Sequence, residues 1–164
     1  MNSIKRTALS ALLSALSVAV MYIGSMFGKM DMATAVVSSL CVMIALGEYG
    51  YKSAFGVYLV TAVLSFVIVP VKTAVILFVV LFGLYPLVKL FSASRGNKVA
   101  EYVIKYCYLN VSLVVLVVIT VVFFVKLPVW VVALIFAGAN LLLPVYDFAL
   151  NGLMAFYCNR IRRG

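Results

Sequence analysis

The chain has 164 residues, of which 67% are hydrophobic and only 10% charged, and its net charge is +9. A soluble domain carries about a quarter charged and about half apolar residues, so the solvent for most of this surface is lipid. The basic residues sit at the ends of apolar runs and form no stripe, which argues against nucleic acid and for anchoring at anionic headgroups.

Six apolar runs are predicted to be membrane helices, at Thr7–Phe27, Met32–Gly47, Ser53–Val69, Thr73–Lys89, Val103–Val125 and Val129–Tyr157. Crossing a bilayer takes about 20 apolar residues, so the second to fourth runs are lean. Pro70 and Lys72 divide the long stretch from Ser53 to Leu90, and Lys126, Leu127 and Pro128 divide another. Proline lacks an N–H and disfavours helix in the residue before it, which makes both places turns.

The first run, TALSALLSALSVAVMYIGSMF, follows Lys5 and Arg6 as a signal peptide would. It continues for about 20 residues with further spans behind it, so a retained helix is expected. Ala8, Ala11, Ala15 and Ala19 lie three and four apart and share one face. Ser10, Ser14 and Ser17 flank that face, and Gly24 and Gly28 extend the small-residue spacing. Small residues at four-residue intervals admit a second helix at close range in lipid. That second helix can belong to this chain or to another protein.

The first outer loop, GKMDM, holds Lys29 and Asp31, and the second run opens with Thr34, Ser38 and Ser39. Thr34 and Ser38 are four apart, so they either line an outward cavity or bond back to their own helix. In GEYGYK, Glu48 and Lys52 have the spacing of a helical ion pair, whereas Gly47 and Gly50 favour a tight turn. The fourth run ends in FGLYPLVK, where Pro86 kinks or breaks the helix. The connection SASRGNKVAEY is the longest polar segment and joins two pseudo-halves. In the sixth run, Asn140, Pro144, Asp147 and Asn151 make the most polar span. Asp147 lies eighteen residues past Val129, roughly 27 Å along the helix at 1.5 Å per residue, close to the inner boundary. A structural pair with Lys89 or Lys105 is one expectation, and partner contact or gating is the other. Asn140, nearer mid-depth, is the better candidate for touching a ligand.

With the N-terminus inside, Lys5, Arg6, Lys52, Lys89, Arg95, Lys98, Lys105, Arg160, Arg162 and Arg163 fall on the inner side. Lys29, Lys72 and Lys126 fall outside, which is ten against three. The positive-inside rule then gives a single all-α domain over residues 1–164, a compact bundle of six transmembrane helices with both termini cytoplasmic. Cys41, Cys107 and Cys158 form no CxxC and read as structural thiols. Catalysis is not expected. There is no histidine, and with Asp31 outside and Glu48, Glu101 and Asp147 inside, a paired acid and base at one depth is hard to build. No metal-ligand cluster, cofactor motif or phosphate-cradling glycine loop is present. A proton pump would need a buried acid near mid-membrane, and none is obvious.

The segment KRTALSALLSALSVAV at positions 5–20, with Ala11, Ala15 and Ala19 in an AxxxA pattern, resembles the first helix of the substrate-binding S components of energy-coupling factor (ECF) transporters. Size and six-helix topology are also similar over most of the chain. The resemblance implies a bacterial cell-membrane protein that captures a vitamin or similar micronutrient from outside. It implies docking of Ala11, Ala15 and Ala19 on a coupling module of one membrane protein and two ATPase subunits, with toppling of the S component carrying the ligand across. The ligand would lie under the outer loops, near Lys29, Asp31, Lys72 and Lys126. Tyr22, Trp130, Thr34, Ser38 and Asn140 are the candidate contacts, and they favour a mostly apolar or aromatic molecule. The competing class is a small membrane scaffold or assembly factor, whose alanine face packs on a permanent partner and which transports nothing.

Overall fold

The computed structural model describes residues 3–27, 30–94, 96, 98–123 and 128–160. They form six helices long and apolar enough to cross a membrane, and no strand occurs among the described residues. The chain is an all-α, multi-pass membrane protein. Helix α1 is Ser3–Met26, α2 is Asp31–Tyr49 and α3 is Tyr51–Ile68. Helix α4 covers Lys72–Ala93, α5 is Lys98–Phe123 and α6 is Val129–Arg160. The helices fall into two compact units, Met1–Ser94 and Arg95–Gly164, and the division lies in the long polar connection.

The lean second to fourth runs are longer as helices than as apolar stretches. α2 has 19 residues, α3 has 18 and the α4 span has 22, because polar flanks such as Glu48, Lys52 and Lys72 are themselves helical. The α2–α3 turn then shrinks to one residue. Gly50 donates its N–H to the Leu46 carbonyl, ending α2, and its own carbonyl accepts the Ala54 N–H, starting α3. It does so at φ 76°, ψ −173°, a backbone region open essentially to glycine alone. Glu48 and Lys52 therefore belong to different helices, and of the two expectations for this segment the tight turn is the one realised.

In the first unit α1 and α2 meet through small residues. Ser17 and Ser38 are fully buried: the Ser38 hydroxyl donates to the Ser17 carbonyl at 3.1 Å, and the Ser17 hydroxyl donates to the Leu13 carbonyl of its own helix at 2.9 Å with the Ser38 carbonyl 3.5 Å away. Farther out, Gly24 lies so close to α2 that a Cβ there would overlap the Thr34 side chain. Helix α3 turns Ala54, Val57, Tyr58, Thr61 and Ser65 inward. Lys72 caps the end of α3 by donating to the Phe66 and Val69 carbonyls at 2.6 and 2.7 Å. Of the cations expected in the outer loops, it is thus held against backbone, with the Phe66 ring centroid 5.4 Å away.

Helix α4 changes register before its proline. Lys72–Leu77 is α-helical, Phe78–Phe82 forms a π turn, and Tyr85–Ala93 resumes with Pro86 in its first turn. Proline has no N–H to give and its ring clashes with the carbonyl four residues earlier, so a straight α-helix through Pro86 is disfavoured. In the π turn, the Gly83 N–H bonds to Phe78 at 2.7 Å rather than to Val79. The Val79 carbonyl instead accepts the Tyr58 hydroxyl of α3 at 3.0 Å. Gly83 makes room for this contact, since a Cβ there would come within 2.8 Å of the Tyr58 ring.

The second unit is the α5–α6 pair. Pro144 sits inside α6, which nevertheless remains helical from Val129 to Arg160. Removing the Tyr58 hydroxyl tests how much the bond to α4 contributes. Tyr58→Phe should lower unfolding stability in detergent by about 1 kcal/mol, the scale of a side-chain hydrogen bond within a membrane protein. An unchanged unfolding midpoint would mean that the displaced carbonyl does not need this donor.

Candidate functional site

Three features hold chemistry: a charged and amidic seam between α5 and α6, the outward face of α1, and a groove between α1 and α3. In the seam, Lys105 is 2% exposed. Its ammonium lies 2.5 Å from Glu101 on its own helix and 2.9 Å from Asp147 on α6. The Tyr102 ring lies 5.8 Å from the same nitrogen. This is the structural pairing of Asp147 with Lys105 expected from depth along the helices. Glu101 as a second partner follows from its position one turn before Lys105, a spacing readable in the sequence although the acid was not singled out there.

Next to it, Asn110 and Asn140 form a closed amide pair. Each side-chain nitrogen donates to the other's oxygen at 3.2 Å and to its own helix four residues back, at 2.8 Å. Both N–H bonds of each amide are thereby used. The pairs 105–147 and 110–140 have nearly constant index sums, as an antiparallel helix pair requires. Asn140 is thus engaged with α5, and Pro144 four residues on removes the N–H that its backbone carbonyl would otherwise receive.

The other residues proposed for a ligand are spread over the two units. Tyr22 on α1 is exposed, and Trp130 on α6 is 66% exposed. Thr34 donates to the Met30 and Asp31 carbonyls at 3.1 and 3.0 Å, so it bonds back to its own helix. Ser38 is buried against α1 through Ser17. Asp31 begins α2 half-buried, and one of its carboxylate oxygens has no hydrogen-bond partner among the described residues. Lys29 and Lys126 lie outside the described residues, as do Gly28, Arg95, Arg162 and Arg163. Sequence reasoning passed over Thr61 and Ser65. Both are fully buried one turn apart on α3, and their hydroxyls have no partner among the described residues. Their four-residue spacing was the available signal.

On α1 the two small-residue stripes have opposite environments. Ser14 and Ser17 are buried with Leu13, Val18 and Met21. Ala8, Ala11, Ala15 and Ala19 are exposed, alongside Leu12 and Leu16. Beside the alanine face a groove of about 290 Å³ opens between α1 and α3. Arg6, Thr7, Ser10 and Ser53 line it at one end, and Gly56 and Val60 line it farther in. Arg6 donates from Nε to the Ser53 hydroxyl at 2.6 Å.

In comparisons with known proteins, no family model, no curated protein and no solved structure matches this chain.

The seam yields a stability prediction. Lys105→Met leaves two carboxylates facing a buried site and should destabilise the protein by about 3–5 kcal/mol. Adding Glu101→Gln and Asp147→Asn to it should restore most of that loss in chemical unfolding. A triple variant no more stable than Lys105→Met would show that charge pairing is not what holds the seam.

Proposed function

We propose that this chain is the membrane-embedded substrate-binding S component of an ECF-type importer in a bacterial cell membrane. The observation that carries this reading is the exposed alanine face of α1. Ala11, Ala15 and Ala19 are exposed on the first unit, while Ser14 and Ser17 beside them are buried. Between helices in lipid no hydrophobic force draws surfaces together. Close approach of backbones across small residues and the resulting van der Waals contact drive association instead. A face of alanines suits a helix of a membrane coupling protein, which two ATPase subunits would energise. The chain itself would catalyse nothing and would hold a micronutrient near the outer ends of its helices. On the first unit, the exposed Tyr22 and the half-buried Asp31 are the described candidates to meet that ligand.

A second reading, a scaffold or assembly factor without a transported ligand, has one observation in its favour. The donors of Thr34, Ser38 and Asn140 are all engaged in bonds within the protein, so none of them has an N–H or O–H left for a ligand. The two readings separate at the partner.

Ala15→Trp should leave the chain folded, because the position is exposed, and should block the docking face. The expected outcome is co-purification of one membrane coupling protein with two ATPases from the host in mild detergent, reduced about tenfold or more by Ala15→Trp, equivalent to about 1.4 kcal/mol. Uptake should fall with it while ligand binding to the isolated chain persists. Recovery of a stable membrane complex without an ATPase would favour the scaffold, and uptake unchanged by Ala15→Trp would remove α1 as the docking element.

A further inference from the structure

We propose that the groove between α1 and α3 is a binding site for one anionic phospholipid, with its phosphate at Arg6 and an acyl chain lying along Gly56 and Val60. This goes beyond partner docking and does not depend on it. The Arg6–Ser53 bond brings the starts of α1 and α3 to one level. From there the groove runs along α1 to Ser14 and along α3 to Val60. Eight residues of α1 at 1.5 Å each make its length about 12 Å.

Its lining changes character along that length. The Thr7, Ser10 and Ser53 hydroxyls and the guanidinium lie towards the first turn, whereas Ala11, Gly56, Val57 and Val60 line the deeper part together with Ser14, whose hydroxyl is turned back to the Ser10 carbonyl. The groove is open above Gly56, where even an added Cβ would meet nothing within 4 Å. Spread over about 12 Å, the volume of about 290 Å³ gives a mean cross-section of about 24 Å², the scale of one hydrocarbon chain. A helix, about 10–12 Å across, does not enter a slot of that width.

Charge selects the headgroup. Lys5 and Lys52 flank Arg6 and Ser53 in sequence, and both are exposed. Arg6 lines the polar end, two further cations lie next to it and to Ser53 in sequence, and Glu48 near the end of α2 is the one acid in the adjoining sequence. Basic pockets between transmembrane helices on the cytoplasmic side favour anionic headgroups. The distribution of Lys and Arg puts this end on that side. A cationic mouth joined to an apolar slot fits an amphiphile whose charged and hydrocarbon parts are linked. Inorganic phosphate would use only the mouth, and a neutral lipid only the slot.

The test is lipid retention. The full chain is equilibrated in mixed micelles containing equal phosphatidylglycerol and phosphatidylcholine, and the retained lipid is counted by native mass spectrometry. The expected result is one phosphatidylglycerol per chain in preference to phosphatidylcholine. Arg6→Gln should lower its retention about fivefold, the worth of one basic residue near a membrane surface. Gly56→Phe should fill the slot and abolish retention, and Val60→Trp should do the same from a position already exposed, which guards against a folding failure in the first variant. Lys98→Gln, on α5, should leave retention unchanged. Equal retention of the two lipids, full retention by both slot variants in folded protein, or an equal loss in Lys98→Gln and Arg6→Gln would each overturn the proposal.

Discussion

The absence of water from the hydrocarbon core constrains this chain more than any single contact. A polar group carried into the bilayer must be bonded within the protein, since burying it alone costs several kcal/mol. Apart from the buried Thr61 and Ser65 hydroxyls, which have no partner among the described residues, the two units meet that requirement by bonds between helices. In the first, the Ser38 hydroxyl donates to the Ser17 carbonyl. In the second, two asparagines exchange amide bonds, and a lysine joins an acid of its own helix to one on the neighbour. A reciprocal pair fixes both the register and the rotation of two helices. Apolar side chains sliding past one another in lipid fix neither as firmly. Polar residues thus hold the helices in alignment, while the apolar ones make them soluble in the bilayer.

The same constraint explains the departure of α4 from regular helix. Pro86 would leave one carbonyl without a donor and press its ring on another. Widening one turn at Phe78–Phe82 moves the chain past the clash, at the cost of redirecting the Gly83 N–H away from Val79. Tyr58 supplies the missing donor from the adjacent helix, and the lack of a side chain at Gly83 lets its ring approach. A tyrosine, a glycine and a proline widely separated in sequence thereby form one device. π turns of this kind are often found at functional sites. Here the local chemistry is accounted for by the proline alone.

Much of this architecture was legible in the sequence, and the reasons for the rest are specific. Hydropathy and charge placement located all six spans, because the bilayer imposes length and polarity on each helix independently of its neighbours. The turn at Gly50 and the pairing of Asp147 with Lys105 were also readable, the first from glycine chemistry and the second from depth. Helix ends were underestimated because apolar runs stop before the helices do; Glu48 and Lys72 are helical without being apolar. The partner of Ser38 was not legible. Periodicity places Ser38 on a face but does not name the helix opposite, so the expectations were a cavity or a bond to its own helix, and the bond to α1 is neither. Thr61 and Ser65 were overlooked for the same reason, being two hydroxyls in an otherwise apolar run.

The first helix shows how far such patterns reach. Its serines and alanines form two adjacent stripes of small residues, indistinguishable by size and spacing. Packing separates them: the serines are buried and the alanines are exposed beside Leu12 and Leu16. A face that met only lipid chains would gain nothing from being small, since larger side chains are equally at home in hydrocarbon. What alanine adds is room for the approach of another backbone, which is why the proposed docking rests on the exposed stripe and not on the buried one. Beside that stripe the groove between α1 and α3 stays open above Gly56, so the surface of the first unit offers two shapes, an exposed row of small residues and a groove with Arg6 at one end.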